Sequence, residues 1–168
     1  MRRLLLLRHA KAENGGPGQS DFDRALSPRG REAAARMGHH IANTATEPDR
    51  ILCSSAVRTR QTALLAAAEF RSSPKLEFLA ELYNAEADDY VEQIRLHGGD
   101  ADTLMVVAHN PATEEVIHLL AGDRSEIAPP ADVPTAALAI LDFDVDDWLG
   151  IRERGGRLVG FVRPRDLG

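Results

Sequence analysis

The sequence holds one cysteine, Cys53, in 168 residues. Without a second thiol the chain cannot build an internal disulfide framework, which fits a reducing compartment, and Cys53 reads as a small buried hydrophobe. Basic charge is also short. Lys and Arg number 20 against 26 Asp and Glu, giving a formal net charge of −6 and an isoelectric point near 5.5. That balance offers no electrostatic reason to expect nucleic acid or an anionic membrane as partner, so any anion site must be local. Long apolar runs are missing as well. Met1-Arg2-Arg3 followed by four leucines imitates a secretory signal, but Arg8 interrupts it early, and no stretch approaches a membrane span. Internal repeats and low-complexity linkers are absent too. The default is a soluble cytoplasmic protein, 43% apolar, of a length that fits a single domain over residues 1–168.

What is present is alternation. Leu4 to Leu7 is a short, wholly apolar strand, followed by a Gly-rich loop from Glu13 to Arg24. Ser27 and Pro28 then suit the cap and first residue of a helix whose apolar face carries Ala34, Met37, Ile41 and Ala45. Arg50 to Cys53 predicts a second strand, and Ser54 and Ser55 predict caps for an Ala-rich helix to about Phe70. A weaker strand at Leu76 to Leu79 precedes a helix from about Asp88 to His97, stopped by Gly98-Gly99. Thr103 to Ala108 is the clearest central strand and leads through His109-Asn110-Pro111 into a helix to about Ala121. After a loop with Pro129, Pro130 and Pro134 come two late strands, Ala136 to Phe143 and Arg157 to Arg163. Strands alternating with helices predict an α/β fold, a three-layer α/β/α sandwich with a mostly parallel sheet and an antiparallel late strand.

Parallel strands bring their C-terminal ends to one edge, where open α/β sheets place their chemistry. Three such ends carry polar groups: Arg8-His9, Ser54 to Arg58, and His109-Asn110. Two guanidiniums and two imidazoles converging there suit a phosphoryl group, because arginine offers planar, permanently charged donors to its oxygens. His39, His40, His97 and His118 show no ligand spacing and read as surface or boundary residues. The acidic run Asp142, Asp144, Asp146, Asp147 lacks the Gly and terminal Glu of an EF-hand loop and reads as a solvated turn.

Leu7-Arg8-His9-Ala10, the segment Ser54-Ser55-Ala56-Val57-Arg58-Thr59-Arg60-Gln61-Thr62, and Ala108-His109-Asn110-Pro111 together resemble the histidine phosphatase superfamily, whose fold is phosphoglycerate mutase-like. Asp23-Arg24-Ala25-Leu26-Ser27-Pro28-Arg29-Gly30 is similar to the SixA-type phosphohistidine phosphatases within it. The resemblance implies that His9 is the nucleophile, transiently phosphorylated and then hydrolysed, and that Arg8, Arg58 and His109 form the phosphate pocket. By the same resemblance Arg24 joins the pocket, although it could instead pair with Asp21 or Asp23. Ala10 stands where the family has glycine, which strains the turn if that position needs a positive φ. Lys11 and the short loop after it disfavour a mutase. Asn110, a further substrate-binding candidate, replaces the general-acid aspartate of the acid phosphatase branch.

Glu81 lies roughly where mutase-like members place an acid, and is the candidate proton donor. A phosphohistidine substrate needs none, since the second ring nitrogen takes its proton from solvent near neutral pH and the leaving group is neutral imidazole. An alkyl phosphate has no such alternative. The expectation is a metal-independent phosphatase, without cofactor, acting on phosphohistidine of a signalling protein such as a phosphotransfer domain. A phosphatase of small O-phosphorylated metabolites and a non-catalytic phospholigand-binding module are the alternatives.

Overall fold

The computed structural model describes residues 1–44 and 46–168; Ala45, expected at the end of the first helix's apolar face, lies outside the described residues. Six strands, β1 (Arg2–Arg8), β2 (Arg50–Ser54), β3 (Lys75–Leu79), β4 (Thr103–Ala108), β5 (Leu138–Phe143) and β6 (Gly156–Val162), form one sheet in the order β3-β2-β4-β1-β5-β6. The first four run parallel, β5 runs antiparallel to β1, and β6 antiparallel to β5. Four helices, α1 (Pro28–Thr44), α2 (Val57–Ala67), α3 (Ala87–His97) and α4 (Ala112–Leu120), cover the two faces. This is the three-layer α/β/α arrangement expected from the alternation.

Four consecutive leucines can be buried only when both faces of their strand are covered. Leu5 and Leu7 pack with Met37 and Ile41 of α1 and Ala63 and Ala66 of α2. Leu4 and Leu6 face the other way, onto Val91 and Ile94 of α3 and Val116 and Leu120 of α4. Helices α1 and α2 lie close because Gly38 leaves no side chain between them: a Cβ there would sit 2.4 Å from the Ala66 carbonyl oxygen. Ser27 caps α1 as expected, its Oγ accepting from the Gly30 N–H at 3.1 Å. The capped end is seated on Lys11, whose carbonyl accepts from both the N–H and the Oγ of Ser27.

Several boundaries differ from expectation, each for a local reason. Ser54 and Ser55 do not cap α2: Ala56 holds that position without a side-chain bond. The Ser54 hydroxyl is taken by His109 instead. The late strand starts at Leu138 rather than Ala136, because Ala136, at φ 62°, turns its N–H onto the carbonyls of Arg8 and His9. β6 stops at Val162, since Arg163 and Pro164 open a 3₁₀ turn. Asp142 is no solvated turn residue. It is a buried β5 residue whose carboxylate accepts two bonds from Arg3, at 2.7 and 2.9 Å.

A Cβ at Gly30 would approach the Lys11 carbonyl oxygen to 2.0 Å. Alanine is the better helix former by about 1 kcal/mol. Nevertheless Gly30→Ala and Gly38→Ala are each expected to lower stability by roughly 1–3 kcal/mol through overpacking. Denaturant unfolding measures this, and a raised midpoint at either site would show that α1 is free to back away.

Candidate active site

The chain leaves β1 toward α1 on one face of the sheet and leaves β4 toward α4 on the other. Neighbouring strands whose exits diverge leave a crevice between them. His9 and His109 are the first residues past those two strands, and their ring centroids stand 5.4 Å apart at 59°. The backbone holds them in register, with the His9 N–H donating to the Ala108 carbonyl at 2.9 Å. From α3, the Tyr90 hydroxyl accepts from the His109 N–H at 3.3 Å and donates to the Leu82 carbonyl at 2.8 Å.

His9 Nδ1 lies 2.7 Å from the Ala10 carbonyl oxygen. A carbonyl can only accept, so Nδ1 carries the proton and Nε2 keeps its lone pair. The Ala10 N–H donates to Thr62 Oγ1 at 3.0 Å, and that hydroxyl donates to the Arg58 carbonyl at 2.7 Å, tying the turn to α2. Ala10 is not among the positive-φ residues, so alanine brings no strain there. Burial, with the neighbouring His109, Arg58 and Arg8, pushes the His9 pKa down to about 3. His109 is pushed to about 4, chiefly by burial and Arg58, with Asp21 opposing. Both rings are therefore neutral near pH 7. His109 Nε2 shares a 2.7 Å hydrogen bond with Ser54 Oγ.

Arg58, in the first turn of α2, is buried and gives both terminal nitrogens to Asp21: Nη1 to its backbone carbonyl at 2.7 Å and Nη2 to Oδ2 at 3.0 Å. Arg8 donates through Nη1 to the Val133 carbonyl at 2.7 Å, and its pKa is lowered by burial. Asn110 Nδ2 donates to the same carbonyl at 3.2 Å, which pins the proline-containing loop against the crevice. Among the described residues, the buried side-chain polar atoms left without a partner are Arg8 Nε, Arg58 Nε, His109 Nδ1 and Arg157 Nε. Three of those four belong to this cluster. Unsatisfied buried donors gathered beside a free imidazole lone pair fit an acceptor-rich anion such as phosphate.

Asp21 was expected only as a possible partner for Arg24; it proves to be the hub. Its Oδ1 accepts from Arg24 Nη1 at 2.9 Å, while Oδ2 accepts from the Tyr83 hydroxyl at 2.7 Å as well as from Arg58. The Tyr83 and Arg24 bonds, then Arg58, hold the carboxyl well below the usual range, so it stays ionised. Arg24 donates its Nε to the Glu13 carbonyl at 2.8 Å and thus supports the pocket through Asp21. The Tyr83 ring stands edge-on to His109, with centroids 5.5 Å apart.

The crevice has a volume of about 350 Å³, and Asp21, Arg58, Tyr83, His109 and Asn110 are among its lining. Glu81 is outside that lining, exposed on the 3₁₀ turn Ala80–Leu82, while Tyr83, two residues on, is the side chain that enters. Arg8 and His9 are outside it as well, His9 standing beside the lining His109. Sequence reasoning missed Tyr83, the supporting Tyr90 and the pairing of Ser54 with His109. The signal for Asp21 was present in its spacing from Arg24, but not its reach to Arg58.

The model of the histidine phosphatase superfamily (branch 1) matches residues 4–95. The chain belongs to this superfamily. An uncharacterised protein of Mycobacterium tuberculosis is 32% identical over 95% of this chain and 100% of its own length. The structure of a candidate phosphohistidine phosphatase SixA from Agrobacterium tumefaciens superposes with a TM-score of 0.80 at 32% identity, covering 97% of this chain and 98% of the other. Its counterpart from Nakamurella multipartitia gives 0.81 at 27% identity, over 97% and 96%. The histidine phosphatase fold is thus shared along almost the whole chain.

A buried histidine kept neutral binds its proton more readily in the unfolded chain, so stability is complete above about pH 6.5 and lost as pH falls toward the folded values. With folded pKa values of about 3 and 4, each ring is expected to cost on the order of 2 kcal/mol between pH 7 and 5. Unfolding at both pH values, with His109→Gln removing about half of the loss, checks this. Nitrogen NMR should show His9 as the Nδ1–H tautomer down to pH 5, and a His9 titration near 6.5 would contradict it.

Proposed function

We propose that this histidine-phosphatase-type phosphatase hydrolyses phosphohistidine on a protein, through a covalent intermediate on His9. The observation that carries this choice of substrate is the character of the carboxylates at the crevice. Asp21, which lines it, is held ionised by Tyr83, Arg24 and Arg58. Glu81 is exposed to solvent on the turn Ala80–Leu82. Neither is placed as a protonated acid for an alkoxide leaving group. Phosphohistidine needs no such acid, because solvent protonates its second ring nitrogen and neutral imidazole departs.

In the first step the His9 Nε2 lone pair attacks phosphorus while the bond from phosphorus to the substrate imidazole breaks. Arg8 and Arg58 hold the non-bridging oxygens, and their permanent charge stabilises the transferring group. Binding a dianion beside His109 favours its imidazolium, so that the Nδ1 now without a partner donates to an oxygen of the phosphoryl group. In the second step water attacks the phosphorus of phospho-His9, releasing inorganic phosphate and restoring the ring. Asn110 contributes by holding the Val133 carbonyl that orients Arg8. The names of the two similar SixA structures agree with a phosphohistidine substrate.

The test sets a phosphohistidine protein beside a panel of O-phosphorylated metabolites, with a chelator present. Selective release of phosphate from phosphohistidine is expected. His9→Ala should lower it by about 10³-fold or more while retaining tungstate affinity. Glu81→Gln is expected to leave it within about twofold. Faster turnover of an O-phosphate, crippled by Glu81→Gln, would transfer the assignment to a metabolite phosphatase. No turnover with undiminished phospholigand binding would make the protein a binding module.

A further inference from the structure

The crevice does not end at the phosphate pocket. Ala85 and Pro111, which line it, also line a trough of about 740 Å³ running out between the start of α3 and the length of α4. Asp88, Leu119 and Glu153 carry that trough into a further stretch of about 580 Å³. Together these are far larger than the 350 Å³ crevice, and a small phosphorylated molecule seated on His9 would leave them unused.

The trough's chemistry is opposite to that of the pocket. Glu86, Asp88, Glu115 and Glu153 line it nearest the crevice, and Glu92 lies further along. Arg95, the arginine among the lining, keeps its charge and donates to the Ile151 carbonyl at 2.6 and 3.1 Å, and His118 Nε2 donates to the Pro130 carbonyl at 2.8 Å, so five carboxyl side chains are set against one guanidinium. Between the acids lies apolar surface, and at the outer end Leu96 and Leu149 are 63% and 66% exposed. Exposed leucines inside an acid-lined groove mark a surface for a partner with apolar and cationic groups.

We propose that this trough is the docking surface for the protein substrate, and that it accepts a basic amphipathic segment flanking the phosphohistidine. The proposal rests on the phosphohistidine reading above. The phosphate is held by Arg8 and Arg58, while the segment beside it lays lysines or arginines against Glu115, Glu153 and Glu92 and an apolar residue against Leu119. An acidic segment meets like charge along the same path and is rejected.

The test uses free phosphohistidine and two synthetic peptides with one phosphohistidine each, flanked by lysine and leucine or by glutamate and leucine. Wild type is expected to favour the lysine peptide through KM, with a preference that fades as salt rises. Glu92→Lys, Glu115→Lys and Glu153→Lys combined should raise KM for that peptide about tenfold, leaving kcat and turnover of free phosphohistidine unchanged. The unchanged small-substrate rate controls for folding. No preference between the peptides, or an unmoved KM in the triple variant, overturns the docking surface while hydrolysis of free phosphohistidine leaves the assigned reaction standing. Failure to hydrolyse phosphohistidine in any form ends both.

Discussion

Arg8, Arg58, His9 and His109 gather at one edge of the sheet, and their mutual repulsion is the constraint on which the site is built. Burial resolves half of it by keeping both rings neutral. Asp21 offsets one of the two arginines, bonding Arg58, and Arg24 besides, through one carboxylate whose ionisation they and Tyr83 secure, while Arg8 is met by the neutral Val133 carbonyl. What remains is an incompletely neutralised pocket with donors to spare and a lone pair on His9. An arriving dianion supplies the missing charge, so groups that cost stability in the empty protein become binding energy in the loaded one.

The fold serves that balance by where it lets its strands end. β1 and β4 are neighbours whose following helices lie on opposite faces, so their two histidines stand together at the sheet edge without competing for space. Supports come from every layer: Thr62 of α2 holds the turn after His9, Tyr90 of α3 holds the backbone of His109, and the Val133 carbonyl holds Arg8. His9 in its proposed role as nucleophile needs this rigidity, because the hydrogen bond at Nδ1 decides which nitrogen can attack.

Much of this was legible in the sequence because it depends on neighbours along the chain. Leu4 to Leu7 and Thr103 to Ala108 read as buried parallel strands, and a histidine stands just past the end of each, so that its place follows too. Ser27 and Pro28 announced α1 by local chemistry. What stayed hidden depends on partners far away. Tyr83 reaches Asp21 across 62 positions, and Arg58 does so across 37. Ser54 looked like a cap because a serine before a helix usually is one, until His109, 55 residues on, claimed its hydroxyl. Asp142 looked solvated among other acids, yet Arg3 of the neighbouring strand pairs with it inside the sheet. Tertiary partners overrode local propensity in each case.

On the proposed reading, selectivity for a phosphorus–nitrogen bond follows as much from what the crevice withholds as from what it holds. A protonated carboxyl beside the leaving group would open the same nucleophile to alkyl phosphates. Here the lining carboxylate is committed to two guanidiniums and a phenol, and protonating it would weaken its hold on Arg58, the arginine proposed to grip the phosphate. The function of Asp21 as a hub is thus incompatible with service as an acid. The two roles compete for one proton, and the geometry gives the carboxylate to structure. A leaving group that brings its own basic nitrogen is the kind such a site can expel, and in the proposed docking mode the acidic trough beyond it selects which polypeptide delivers that group.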